Sequence, residues 1–181
     1  MGTGIHDRKL GMWLFLASEV MFFTGIIGSY IVLRSAAPAW PHPADRPFDL
    51  VPAAIATLVL IASSVAMALA VRAARERSRA TPVLLVAAVV LGSGFFAIQA
   101  WEYAHLLLRG ETVSRSLLLS CFYLMTGAHA LHVLGGLVCV AFQIVRAFDA
   151  RIDANGLEAL ALYWHFVDLI WIVLFAILYL V

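Results

Sequence analysis

The chain has 181 residues, with 12 Lys and Arg against 11 Asp and Glu for a formal net charge of +1, and it is 64% hydrophobic but only 13% charged. Charge is about half as frequent as in a soluble domain and the apolar share is well above normal, which excludes a water-soluble globule and a disordered chain and leaves a membrane protein. A balance this near neutral, with no basic block, also excludes nucleic acid as a partner, because duplex binding needs a face rich in Lys and Arg to displace counterions.

Crossing about 30 Å of hydrocarbon takes roughly 20 helical residues. Five apolar runs of that length stand between clusters of charge, Pro and Gly, at residues 10–33, 50–71, 82–108, 114–145 and 157–181. The first is too long for the core of a signal peptide and lacks a small-residue cleavage site, so it reads as a retained span. Its Gly25 and Gly28, like Gly127, Gly135 and Gly136 of the fourth span, permit close helix contact. Residues 34–49 contain Pro38, Pro41, Pro43, Pro47 and Trp40 and read as a stiff extracytoplasmic loop with an aromatic anchor at the interface. The third span opens on Thr81 as a cap before Pro82, whose missing N–H costs nothing there. In the fourth, Cys121 and Cys139 lie five turns apart, about 27 Å along one helix, and cannot bridge each other. They read as small apolar packing residues. The fifth is preceded by Asn155-Gly156, with Glu158 in its first turn. Trp13, Trp101, Trp164 and Trp171, with Tyr103, Tyr163 and Tyr179, suit an interfacial belt. Short alternating strands are absent, so helices satisfy the backbone in lipid rather than a barrel. The expected fold is an all-α integral membrane protein, a bundle of five transmembrane helices forming a single domain over residues 1–181.

Basic residues sort by side. Arg8 and Lys9, then Arg72, Arg75, Arg77 and Arg79, then Arg146 and Arg151 fall on one side, and Arg34, Arg46, Arg109 and Arg115 on the other. Eight against four places the N-terminus in the cytoplasm and the C-terminus outside. The Arg-rich second loop is accounted for as a topology signal in preference to a nucleic-acid or lipid-headgroup patch.

An ionisable group at bilayer depth costs a few kcal/mol or more, so each one within a span is a functional candidate. Glu19 follows Ser18 in the first span, Gln99 and Glu102 lie in the third, His129 and His132 in the fourth, and His165 and Asp168 in the fifth. Residues three apart share a helix face, so each of the last two pairs makes one polar stripe that should face protein. At a rise of about 1.5 Å per residue, Glu19, His165 and Asp168 fall roughly 12 to 17 Å from the cytoplasmic helix ends, with His132 slightly higher. Glu102 falls near the level of His129. Two groups are expected: Glu19 with His165 and Asp168, His132 being an optional fourth member, and Glu102 with His129. Three chemistries compete for them. A carboxylate-bridged di-metal bundle wants repeated Glu-x-x-His pairs, which this chain lacks. A proton relay or ion site fits the residue types, although no span is broken at mid-depth as in ion-coupled transporters. Hydrogen-bond pairs that fix helix register fit equally well, and periodicity does not separate the last two.

Four motifs carry a resemblance. Leu10-Gly11-Met12-Trp13-Leu14-Phe15 with Ser18-Glu19-Val20-Met21-Phe22-Phe23, Gln99-Ala100-Trp101-Glu102-Tyr103, Thr126-Gly127-Ala128-His129-Ala130-Leu131-His132-Val133 and Tyr163-Trp164-His165-Phe166-Val167-Asp168-Leu169-Ile170-Trp171 stand in this order. In sequence and spacing they resemble the shared core of haem–copper oxidase subunit III, from about Lys9 to the C-terminus. Longer members have two further N-terminal helices, so the chain resembles the five-helix branch. Ala128 and Ala130 stand where Phe and Gly are usual, which alters packing around His129 but leaves both histidines. The second helix carries little of the signature.

The resemblance implies a non-redox subunit of a respiratory terminal oxidase in the bacterial inner membrane. Such a subunit has no catalytic centre, metal or cofactor of its own; haem and copper sit in partner subunits. It packs on subunit I beside the other oxidase subunits, binds phospholipid, and supports proton uptake and the integrity of the oxygen-reducing centre while the complex reduces oxygen and pumps protons. Glu19 takes the place of the family's buried helix carboxylate, and Glu102, His129, His132, His165 and Asp168 its other buried polar positions, with structural or proton-linked roles. The rival readings are an accessory subunit of nitric oxide reductase and a free-standing ion or proton transporter. Cytochrome c and quinol oxidases both use such subunits, so the electron donor is left open.

Overall fold

Each apolar run forms a helix because its backbone groups have no other partner in hydrocarbon. The structure, a computed structural model, describes residues 4–42, 46–148 and 152–181, and of residues 4–8 the backbone alone. Pro43, Arg151 and the side chain of Arg8, used above, lie outside it. Helix α1 runs Gly4–Ala36, α2 Leu50–Arg75, α3 Thr81–Leu108, α4 Leu117–Phe148 and α5 Ala154–Phe175, which continues into a π-helical turn, Ala176–Leu180. Each helix is long and apolar enough to cross a membrane, and the described residues contain no strand.

The helix ends differ in detail from the expectation. Thr81 is the first residue of α3 rather than its cap, with its hydroxyl donating to Ser78 O at 2.9 Å. Asp153, not Asn155, caps α5 by accepting from the Asn155 N–H at 3.1 Å. Helix α4 starts at Leu117 because the Ser116 hydroxyl takes up the free Leu119 N–H at 3.2 Å. After α2 and after α3 the chain turns in the same way. Ser78 N–H donates to Ala73 O and Arg77 N–H to Ala74 O, and equally Glu111 N–H donates to Leu106 O and Gly110 N–H to Leu107 O. This six-to-one pattern needs a left-handed residue next to the end, which is usually Gly. Gly110 (φ 74) meets that need after α3, but Arg77 (φ 52) occupies it after α2, at a cost of about 1–2 kcal/mol.

Helix α5 is the hub: α1, α2 and α4 all pack on it, and α3 closes the ring against α2 and α4. Lipid is as apolar as Leu, so burial alone does not hold such a bundle, and close packing with interhelical hydrogen bonds must. Trp164 supplies both. A Cβ added at Gly92 of α3 would come within 2.9 Å of the Trp164 ring, and one at Gly136 of α4 within 2.8 Å, so the indole is wedged between the two backbones. Its Nε1–H donates to Ser63 Oγ at 3.2 Å, and that hydroxyl donates to Ala88 O at 2.7 Å. One ring thus keys α5 to α2, α3 and α4. Trp164, Trp171 and Tyr179 are therefore core rather than interfacial, whereas Trp13 and Trp101 stay about half exposed as a belt requires. Gly25 and Gly28 do not mediate contact, since nothing lies within 4 Å of a Cβ at either.

The Pro-rich segment folds back on the bundle. Trp40 packs edge-on against Tyr30, and Phe48 stacks on Phe122 with centroids 4.1 Å apart. Buried Arg46 donates through Nη1 to Leu178 O at 2.7 Å, a carbonyl of the π turn. Desolvation lowers the Arg46 pKa from its ordinary value, opposed by Tyr30 and reinforced by Arg34. From α1, Arg34 Nη2 donates to Val181 O at 2.8 Å.

Candidate functional site

Four polar placements lie within the spans. In the first, His132 of α4 meets Glu19 of α1, with Nε2 2.8 Å from Oε2, and its Nδ1 lies 2.7 Å from Ala128 O. A carbonyl only accepts, so Nδ1 carries a hydrogen. Nε2 and the carboxylate then hold a single proton between them, either as imidazolium with carboxylate or as imidazole with carboxylic acid. The Phe22 and Phe23 rings flank the imidazole, with centroids 5.8 and 4.9 Å away, and the Tyr163 hydroxyl donates to His132 O at 2.8 Å. The pair is not sealed, its side chains being 16% and 20% exposed at the rim of the bundle.

In the second, Glu102 of α3 is buried and accepts from the Tyr179 hydroxyl, 2.8 and 2.9 Å from its two oxygens, and from Gln99 Nε2 at 3.3 Å. Tyr179 reaches it from the π turn, where the wider i to i+5 winding brings Val181 N–H to Ala176 O. The third runs along the seam of α2 and α5. His165 Nδ1 and Ser64 Oγ share a hydrogen bond of 2.6 Å, buried Asp168 interacts with both of these groups, and its Oδ1 has no partner among the described residues. One turn on, Trp171 Nε1–H donates to Thr57 Oγ1 at 2.9 Å. The fourth is His129 alone. It is fully buried beside Phe95 and Trp171, with neither ring nitrogen partnered among the described residues.

The expected groupings are thus redrawn. Glu19 meets His132 but not His165 or Asp168, because on α5 Tyr163 and Phe166 face α1, through Phe15 and Phe23, while His165 and Asp168 face α2. Matching depth does not fix the direction a side chain faces. Glu102 does not meet His129, because the α3 residue that touches His129 is Phe95, seven positions earlier and so about 10 Å away along the axis. Glu102, His129 and Asp168 are buried, while Glu19, His132 and His165 are partly covered. The sequence reading missed the hydroxyl partners Thr57, Ser63, Ser64 and Tyr179. The spacing of Thr57 and Ser64, seven residues or two turns apart on one face of α2, was the available signal for two of them. Among the described residues no three of His, Cys, Asp and Glu come together as a metal-holding group.

Five membrane-length helices joined by inward-facing polar pairs define a multi-pass membrane protein. The family model for cytochrome c oxidase subunit III matches residues 3–181. The chain is 36% identical over 178 residues to cytochrome c oxidase subunit 3 of Synechocystis sp., covering 96% of this chain and 75% of that one. It is 38% identical over 194 residues to a probable cytochrome c oxidase subunit 3 of Mycobacterium tuberculosis, covering 98% and 95%. To the cytochrome bo(3) ubiquinol oxidase subunit 3 of Pseudomonas putida it is 33% identical over 175 residues, covering 94% and 84%. The chain belongs to the cytochrome c oxidase subunit III family. Its role is that of an oxidase subunit III, one component of an oxidoreductase complex, and the matches favour neither the nitric oxide reductase reading nor the transporter reading.

Proposed function

We propose that this chain is the non-redox subunit III that packs on subunit I of a haem–copper oxidase in the bacterial inner membrane. Its N-terminus is cytoplasmic and its C-terminus outside, in line with the basic residues counted above. Haem and copper reside in the partner subunits, and this chain contributes stability, bound phospholipid and sustained proton uptake. The observation that carries the reading is the Glu19–His132 pair. A carboxylate and an imidazole sharing one proton inside a span are costly against lipid, and this pair sits partly uncovered at the bundle rim, beside an apolar flank on which Met21 is 75% exposed. A partner subunit laid over that flank would remove the cost and place a proton-holding pair at the interface.

The test is Glu19→Ala in the assembled oxidase. Haem content, read from the visible spectrum of the purified complex, stays intact and early turnover is near normal. Activity then decays faster than in the wild type during continuous turnover. Undiminished endurance, or stoichiometric iron or copper in the purified chain alone, contradicts the proposal.

A further inference from the structure

An ionisable side chain at bilayer depth is costly unless its polar atoms find partners. Along the seam of α2 and α5 one such set is incompletely met. His165 Nδ1 is engaged by Ser64 Oγ at 2.6 Å, which leaves Nε2 for an outside partner, and buried Asp168 beside them has an oxygen, Oδ1, with no partner among the described residues. A groove of about 330 Å³ leads to His165. Arg72, Arg75 and Glu158 form its mouth, where α2 ends and α5 begins, and His165 stands at its inner end. From Glu158 to His165 is two turns of α5, about 10 Å. Between them the walls include Ala68 and Ala161, whose small side chains leave the space open. Past His165 the seam closes, because fully buried Trp171 donates to Thr57 Oγ1 at 2.9 Å.

We infer that this groove is a water-filled inlet, open on the side of the chain's N-terminus and blind at its inner end, through which the Ser64, His165 and Asp168 cluster takes up and returns a proton. Hydrocarbon in the groove would leave an imidazole facing lipid. A helix, about 10 Å across, is too wide to enter it. Water fits, since the volume holds several molecules and the polar groups at both ends supply the partners that enclosed water needs. At the mouth Glu158 is bound by Arg75 at 2.6 Å and by Lys9 of α1 at 3.0 Å, and Arg72 pairs with Glu76 at 3.0 Å, so these charges offset one another and set up no barrier to a proton. At the inner end charge acts between His165 and Asp168, with Ser64 of α2 against both. The proton comes from bulk water at the mouth, is held by the imidazole and carboxylate together, and leaves by the same opening, so the exchange moves none across the membrane. The inlet shares no residue with the Glu19–His132 pair and goes beyond the subunit reading.

The first test needs no substitution. The whole oxidase containing the full chain, held in phosphatidylcholine nanodiscs, is kept in deuterated buffer over a pH series, and exchange of the ring hydrogen between the two nitrogens of each histidine is read by mass spectrometry of its peptides. His165 exchanges roughly tenfold or more faster than fully buried His129, and its rate rises with pH through one midpoint, as a ring that titrates against bulk water must. The second test compares Ala68→Cys, in the groove wall, with Leu69→Cys at the same depth but on the exposed outer face of α2. A charged, water-soluble methanethiosulfonate labels the first roughly tenfold or more faster than the second, because the reacting thiolate forms only where water reaches it. Exchange at His165 as slow as at His129, a rate indifferent to pH, or equal labelling at the two positions overturns the inlet, and so does a lipid chain or a neighbouring subunit cross-linked into the groove. Haem content read on the same samples keeps failure of the inlet apart from failure of the oxidase reading.

Discussion

A single atom decides the most constrained contact in the bundle. The Cβ that alanine would add at position 136 lands 2.8 Å from the Trp164 ring, which is already blocked on its other side by α3 at Gly92. Neither backbone can retreat without opening the seam, so Gly136→Ala should destabilise by about 1–3 kcal/mol. Gly25→Ala, where a Cβ meets nothing within 4 Å, should be neutral. Thermal melts of the two purified variants check the contrast, and an equal loss from both would remove the wedge as its cause. Sequence pattern marks which residues are polar or small, but not what they face. His129, His132, His165 and Asp168 are legible as unusual groups within apolar helices, yet the partner of each depends on the rotation of its neighbour about its own axis. Gly92 gave no sign of its importance, because its use depends on a tryptophan from another helix. Trp164 and Trp171 were misread as interfacial for the same reason: distance from a helix end does not tell a belt residue from a wedge.

The last turn of α5 shows how an element's irregularity delivers a side chain. Winding through Ala176–Leu180 is π-helical, and it turns Tyr179 onto Glu102 while presenting the Leu178 carbonyl to Arg46. Removing the hydroxyl with Tyr179→Phe leaves the buried carboxylate with Gln99 at 3.3 Å as its remaining donor among the described residues. Loss of a buried partner of this kind should cost about 1–3 kcal/mol, whereas removing both polar groups with Tyr179→Phe and Glu102→Met should recover most of it. A melt series over the two single variants and the double one measures this. Strictly additive losses would mean that the two groups act independently. The five helices themselves were legible, because length and hydropathy suffice to mark a span. The π turn was not, since nothing in Ala176–Leu180 breaks the apolar pattern.

At the scale of the whole molecule, the polar groups other than His129 join helices in pairs, and among the described residues they form no continuous hydrogen-bonded route from one side to the other. Glu19 with His132 ties α1 to α4, His165 with Ser64 ties α5 to α2, and Glu102 with Tyr179 ties α3 to the end of α5. Apolar rings pack on the polar groups, Phe23 on His132 and Phe95 and Trp171 on His129, each almost fully buried. The full chain reconstituted alone in vesicles should therefore dissipate a pH gradient no faster than empty vesicles, followed with an enclosed pH-sensitive dye; rapid collapse would restore the transporter reading. The packing order also bears on biosynthesis. Helix α1 precedes the other four in the chain, yet its main contacts are with α5 and α4, the last of them to be made, while α2 and α3 are joined by a short turn and pack closely on each other. The α2–α3 hairpin can enter the bilayer as a finished unit, but α1 must wait in the membrane with Glu19 unmatched until His132 arrives. Until α4 is inserted, that carboxylate stands without the imidazole it meets in the finished bundle.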